Sequence, residues 1–138
     1  MKRFLTALTL SVAVLSAPAA MAETPAPNAT EQAEARATLQ TATAVINYGR
    51  AKGDALALVT GVEMMLAVAE GTTIEEKGQA MDLGKILDEA AELGKDDPMI
   101  VAKVDSLRDA AETKTRGACY WEYWCDWYGY CEYWYVCY

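Results

Sequence analysis

The chain has 138 residues, 20 acidic against 12 basic and no histidine, for a formal charge of -8 at neutral pH. Such a charge repels nucleic acid and anionic membrane surfaces, and the missing histidine removes imidazole bases, Cys-His pairs and most zinc-site designs. The length suffices for one modest core and not for two independent domains of normal size.

Residues 1–22 read as a cleaved secretory signal peptide. Lys2 and Arg3 form the basic region, the run from Phe4 to Ala17 is apolar apart from small hydroxyl residues, and Ala20-Met21-Ala22 supplies small side chains before a cut between Ala22 and Glu23. The apolar run is short for a membrane span and no stop-transfer pattern follows it, so the expected product is secreted or periplasmic, with no membrane span after cleavage. Loss of Lys2 and Arg3 takes the formal charge from -8 to -10. Residues 23–29, with Pro25, Pro27 and Asn28, read as a flexible linker.

Residues 30–117 read as a four-helix domain. Thr30 is a candidate cap for a first helix whose stripe holds Leu39, Ala42, Val45, Ile46 and Gly49. The Lys52-Gly53-Asp54 step breaks it, with Asp54 capping a second helix that carries Leu58, Val59, Val62, Met65, Leu66 and Ala69 and stops near Gly71. Thr73 and Glu76 have capping-box spacing, which predicts a third helix from Thr73 through Met81, Ile86, Leu87 and Leu93 to Gly94. Asp97 before Pro98 starts a fourth, with Ile100, Val104, Leu107 and Ala111 on one face and Gly117 closing it. The expected fold class is mainly α: a small antiparallel helical bundle or two stacked helical hairpins, with a C-terminal disulfide-stapled β-hairpin. The core should be thin, because between Glu23 and Gly117 the one aromatic residue is Tyr48.

No catalytic residue stands out in the helices. Glu63, the Glu75-Glu76 pair and the Asp96-Asp97 pair read as caps or solvated faces, and Met64 and Met65 as packing residues rather than soft-metal ligands.

Residues 118–138 break with everything before them. The last 20 positions hold four Cys, four Trp and seven Tyr. Cys119, Cys125, Cys131 and Cys137 recur every six residues. On a helix a step of six turns the side chain by about 240°, scattering the four sulfurs, whereas on an extended chain an even step keeps them on one face. The odd positions carry no charge, while Glu122, Asp126 and Glu132 all fall on the even face.

So long a segment must turn, and Gly129 is its one glycine. A three-residue loop of Trp127, Tyr128 and Gly129 places Cys125 opposite Cys131, Tyr123 opposite Tyr133, Trp121 opposite Tyr135, and Cys119 opposite Cys137. Two nested disulfides, Cys125-Cys131 and Cys119-Cys137, are the preferred pairing. Four thiolates of Cys119, Cys125, Cys131 and Cys137 holding Cu(I) or zinc are the alternative, although the spacings are longer than in compact zinc sites.

The acid-free face is expected against the helices, because an unpartnered buried carboxylate costs several kcal/mol. The even face, with Trp124, Tyr128, Trp134 and Tyr138 as ligand-binding residues, is expected to meet a glycan, a peptide or another exported protein without a cofactor or catalysis. The alternatives are a structural lid on the helices and a tail that serves as substrate of an oxidative modifying enzyme.

Overall fold

The computed structural model describes residues 27–69, 72–112 and 119–138. The signal peptide expected over residues 1–22 lies outside these, as do most of the linker and the expected helix ends at Gly71 and Gly117. Four helices and one four-stranded sheet make up the described residues: α1 Ala29–Lys52, α2 Ala55–Val68, β1 Thr73–Glu76, β2 Gln79–Ala80, α3 Leu83–Leu93, α4 Pro98–Glu112, β3 Cys119–Cys125 and β4 Cys131–Cys137.

Helix α1 is capped by Asn28 rather than Thr30. The Asn28 side chain accepts from the Thr30 and Glu31 amides, and Glu31 Oε2 accepts from the Asn28 amide at 2.7 Å. This reciprocal box satisfies more orphan donors than a threonine two residues later would. The helix ends where Gly53 takes a left-handed conformation with φ 65°, and Asp54 caps α2 by accepting from the Ala57 amide at 3.1 Å. Glycine enters that region without a Cβ penalty.

The segment after α2 departs from the expected third helix. Thr73–Glu76 is extended and turns back through Lys77 (φ 54°) and Gly78 (φ 73°) to pair with β2. Two consecutive positive-φ residues make a hairpin turn and cannot sit inside a helix. The helix itself starts ten residues later than Thr73, at Leu83, where Asp82 accepts from the Lys85 amide at 2.9 Å. The capping-box spacing was outcompeted by a β-branched run, Thr72-Thr73-Ile74, that finds a backbone partner elsewhere in the chain.

That partner is the cysteine-rich tail. The sheet order is β2-β1-β3-β4, with β1 parallel to β3 and β3 antiparallel to β4. The tail therefore supplies the sheet's inner strand β3, and Ile74 lies beside Trp121 in the parallel register. Successive helices pack on one another, α2 also meets α4, and α1 meets β4. Ion pairs tie the helices at their solvated edges: Arg50 to Glu89, Lys103 to Glu63 and Arg108 to Asp88, at 2.7, 2.6 and 2.7 Å.

The core runs from Leu39, Ala42 and Ile46 on α1 through Leu58, Val59, Val62 and Met65 on α2. It continues through Leu83, Ile86, Leu87 and Ala90 on α3 to Ile100 and Val104 on α4. Two tail residues, Trp121 at 2% and Tyr133 at 0% exposure, are the largest side chains in it. The aromatic bulk missing from the helices is supplied by the tail.

Candidate functional site

In the tail, Cys119 faces Cys137, Trp121 faces Tyr135, Tyr123 faces Tyr133 and Cys125 faces Cys131. Asp126 and Tyr130 close the loop: the Asp126 amide donates to the Tyr130 carbonyl at 2.8 Å, and Asp126 Oδ1 accepts from the amides of Tyr128 and Tyr130. Gly129 takes φ 81°, the left-handed position at the loop's end. With the loop-closing pair hydrogen-bonded, the odd pairs fall at non-hydrogen-bonded sites, where strands bring side chains closest. The disulfides Cys119–Cys137 and Cys125–Cys131 span Cα separations of 4.1 and 4.0 Å there. With all four sulfurs so bonded, no cysteine thiolate is left for the Cu(I) or zinc alternative.

The two faces differ in kind. Inward, Trp121 tilts against Tyr135 with centroids 5.0 Å apart and Tyr123 against Tyr133 at 4.7 Å, and on this side β4 meets α1. The Tyr133 hydroxyl meets Thr43 Oγ1 of α1 at 2.7 Å, and burial pushes the phenol up to about 12.

Outward, the register sets both strand tryptophans opposite carboxylates. Glu122 faces Trp134, Trp124 faces Glu132, and Asp126 faces Tyr130 across the loop. Trp124 is 53% exposed, Trp134 47%, Tyr128 92% and Tyr138 85%. A cation already uses this face: the Arg36 guanidinium, from α1, lies 5.0 Å from the centroid of the Trp134 ring. Such a separation is within cation–π range.

Two residues depart from the two-face expectation. Tyr120, on the even face, is buried. It stacks on Tyr138 at 5.6 Å and the two hydroxyls share a hydrogen bond of 3.0 Å; that bond, followed by burial, pushes Tyr120 up to about 12. Trp127, whose odd number grouped it with the core face, is the most exposed ring of the hairpin, because period two ends where the strand enters the loop. Tyr130, on the even face, is exposed as expected and joins Trp127 and Tyr128 at the tip. The loop assignment itself carried the signal for Trp127, since a loop residue has no sheet face.

Among the acids weighed in the helical region, Glu63 is ion-paired and Asp97 caps α4 through the Met99 amide at 2.9 Å. Glu75 is not a cap. It is buried in β1, beside Glu122 in the parallel register and so on the sheet's outer face. Met65 is a core residue and Met64 packs against the core. An open cleft of about 470 Å³ lies between α1, the β1–β2 turn and α3. It mixes Arg50 and Lys85 with Glu76 and Asp82, and Arg50 is already engaged by Glu89. Among the described residues no group of three or more Cys, Asp or Glu is arranged to hold a metal.

No protein-family model, curated protein or solved structure matches the chain.

Proposed function

We propose that this is an exported, non-enzymatic binding protein that uses the outer face and tip of its stapled hairpin to dock a partner, the four helices serving as an antiparallel scaffold. The observation that carries this reading is the exposure of Trp124, Trp127, Tyr128, Tyr130, Trp134 and Tyr138 on one cross-linked ribbon. Rings held rigid lose little conformational entropy on binding, and their edges add hydrogen bonds to apolar contact. A glycan, a peptide and an exported protein are the partner classes such a surface serves.

Export is supported by the signal-peptide pattern at residues 1–22 and by two disulfides, which persist in oxidising compartments. No helix among the described residues is long and apolar enough to cross a membrane. N-terminal sequencing of the protein from secreted or periplasmic fractions should begin at Glu23, and a membrane-held product retaining Met1 would contradict it.

The structural-lid reading accounts for the inner face, through Trp121 and Tyr133, and leaves the outer rings without a role. Glycan and peptide arrays with the wild type and with Trp124→Ala and Trp134→Ala separate the two. Ligand capture by the wild type, weakened in both variants, is the expected result. No capture on any array would overturn the docking reading.

A further inference from the structure

We infer that the hairpin's outer face takes a cationic partner: an extended peptide segment of another protein, bearing arginine or lysine. This deepens the docking reading above and rests on it.

Three features converge on a cation. First, the face alternates rings and carboxylates in both directions, with Glu122 across from Trp134, Trp124 across from Glu132, and Asp126 across from Tyr130. A positive charge gains from the ring's quadrupole and from the carboxylate beside it. A neutral sugar uses only the ring, and an anionic partner meets three acids.

Second, the chain already sets a cation over one of these rings. The rows Glu122/Trp134 and Trp124/Glu132 have the same composition with the strands exchanged. Over Trp134 lies Arg36, at 5.0 Å. Trp124 has the same ring and the same kind of acid across from it, is half exposed, and has no lysine or arginine of the described residues over it. One position is filled from within and its counterpart stands open.

Third, the spacing suits an extended chain. Residues i and i+2 of a strand lie roughly 6.5–7 Å apart on one face, so Trp124 and Asp126 on one side, and Tyr130 and Glu132 on the other, recur at the repeat of alternate side chains in an extended peptide. A peptide lying along the ribbon would bring its basic groups into register with successive acids, while Trp127 and Tyr128 at the tip add apolar contact. The acidic charge of the whole chain would speed the encounter and make it sensitive to salt.

The test uses the full exported chain with both disulfides formed. Its probes are an eight-residue peptide alternating arginine and serine, the same peptide with glutamine for arginine, and an uncharged N-acetylglucosamine oligomer, read by calorimetry and tryptophan fluorescence. The arginine peptide should bind, and more weakly at raised salt. Its affinity should fall about tenfold in Trp124→Ala and in Glu132→Gln. Both positions are solvated enough that the thermal midpoint should not move, which keeps a folding failure distinct from a binding loss.

Equal affinity for the glutamine peptide, or an unchanged affinity in Glu132→Gln, would overturn the cationic preference while leaving an aromatic docking face in place. So would capture of the oligosaccharide alone. Failure of the wild type to bind any of the three probes would overturn the inference, and if no other ligand were found on the arrays, the docking reading with it.

Discussion

The hydroxyl of Tyr133 reaches Thr43 Oγ1 at 2.7 Å, and the same threonine oxygen donates to the Leu39 carbonyl at 3.0 Å, so the innermost ring of the tail is bonded to the backbone turn of α1 through one side chain. Burial favours the neutral phenol and holds Tyr133 at about 12, above its ordinary value of 10.0. A raised tyrosine means that the folded state keeps a proton the unfolded chain has released. The associated stability is therefore complete below pH 10 and disappears as pH rises from 10 towards 12, in all about 3 kcal/mol. Unfolding followed across that window should show the loss in the wild type and a smaller one in Tyr133→Phe, where the titrating group is gone. A wild-type stability that is flat over the same range would contradict the burial of the phenol.

The three tail tryptophans facing the two sides of the ribbon should separate cleanly in thermal unfolding. Trp121→Ala removes the largest buried side chain and leaves a cavity in the core, at a cost of about 3–5 kcal/mol, a large share of a small domain's stability. Trp124→Ala should change stability by about 0.5 kcal/mol or less. Trp134→Ala should fall between, because it also loses the contact with Arg36, worth about 1 kcal/mol. Equal destabilisation by all three would mean that the ribbon has no solvated side.

The disulfides should contribute unequally. Cys119–Cys137 bridges a separation of 18 residues and Cys125–Cys131 one of 6. Loop-closure entropy then favours the outer bond, about 3 kcal/mol against about 2 for the inner one when each is removed alone as a double Cys→Ser variant. Denaturant titration of the two variants gives the comparison. Intact mass before and after reduction gives the number of bonds directly.

Gly61 of α2 packs directly against α1. A Cβ there would fall on the Ile46 side chain and 3.0 Å from the Ala42 carbonyl oxygen. Gly61→Ala should therefore destabilise by about 1–3 kcal/mol although alanine is the better helix former. Gly78→Ala is its contrast: nothing lies within 4 Å, so the cost there comes from the positive φ of 73° alone. That cost should be about 1 kcal/mol.

Local signals account for what the sequence disclosed. Gly53-Asp54 separates α1 from α2 because an αL terminator and an N-cap are both properties of single residues. The hairpin register was legible for a related reason: six-residue cysteine spacing, one glycine and the placement of every acid on even positions all act within one short segment. Strand β1 was not legible. Its stabilising partner is β3, beyond two helices in the chain, and no property of Thr73–Glu76 announces a parallel neighbour at that distance. The exposure of Trp124 and Trp134 was legible because parity decides strand positions, and that of Tyr128 because it falls in the loop. Parity failed at Tyr120, whose burial comes from the stacked Tyr138 ring and from membership of an inner strand.

The parallel bond between β1 and β3 also has a consequence for how the chain is made. Emerging N-terminus first, it presents α1, α2 and the β1–β2 turn before the strand that joins that turn to the sheet has been delivered. Until β3 arrives, Ile74 has no Trp121 beside it and the helices enclose an unfilled space. Such an incomplete intermediate exposes apolar surface and an unpaired strand edge, the two features that recruit holding chaperones or proteases. Closure of the fold and arrival of the tail are thus one event, and a chain interrupted before Cys119 would be left open to degradation.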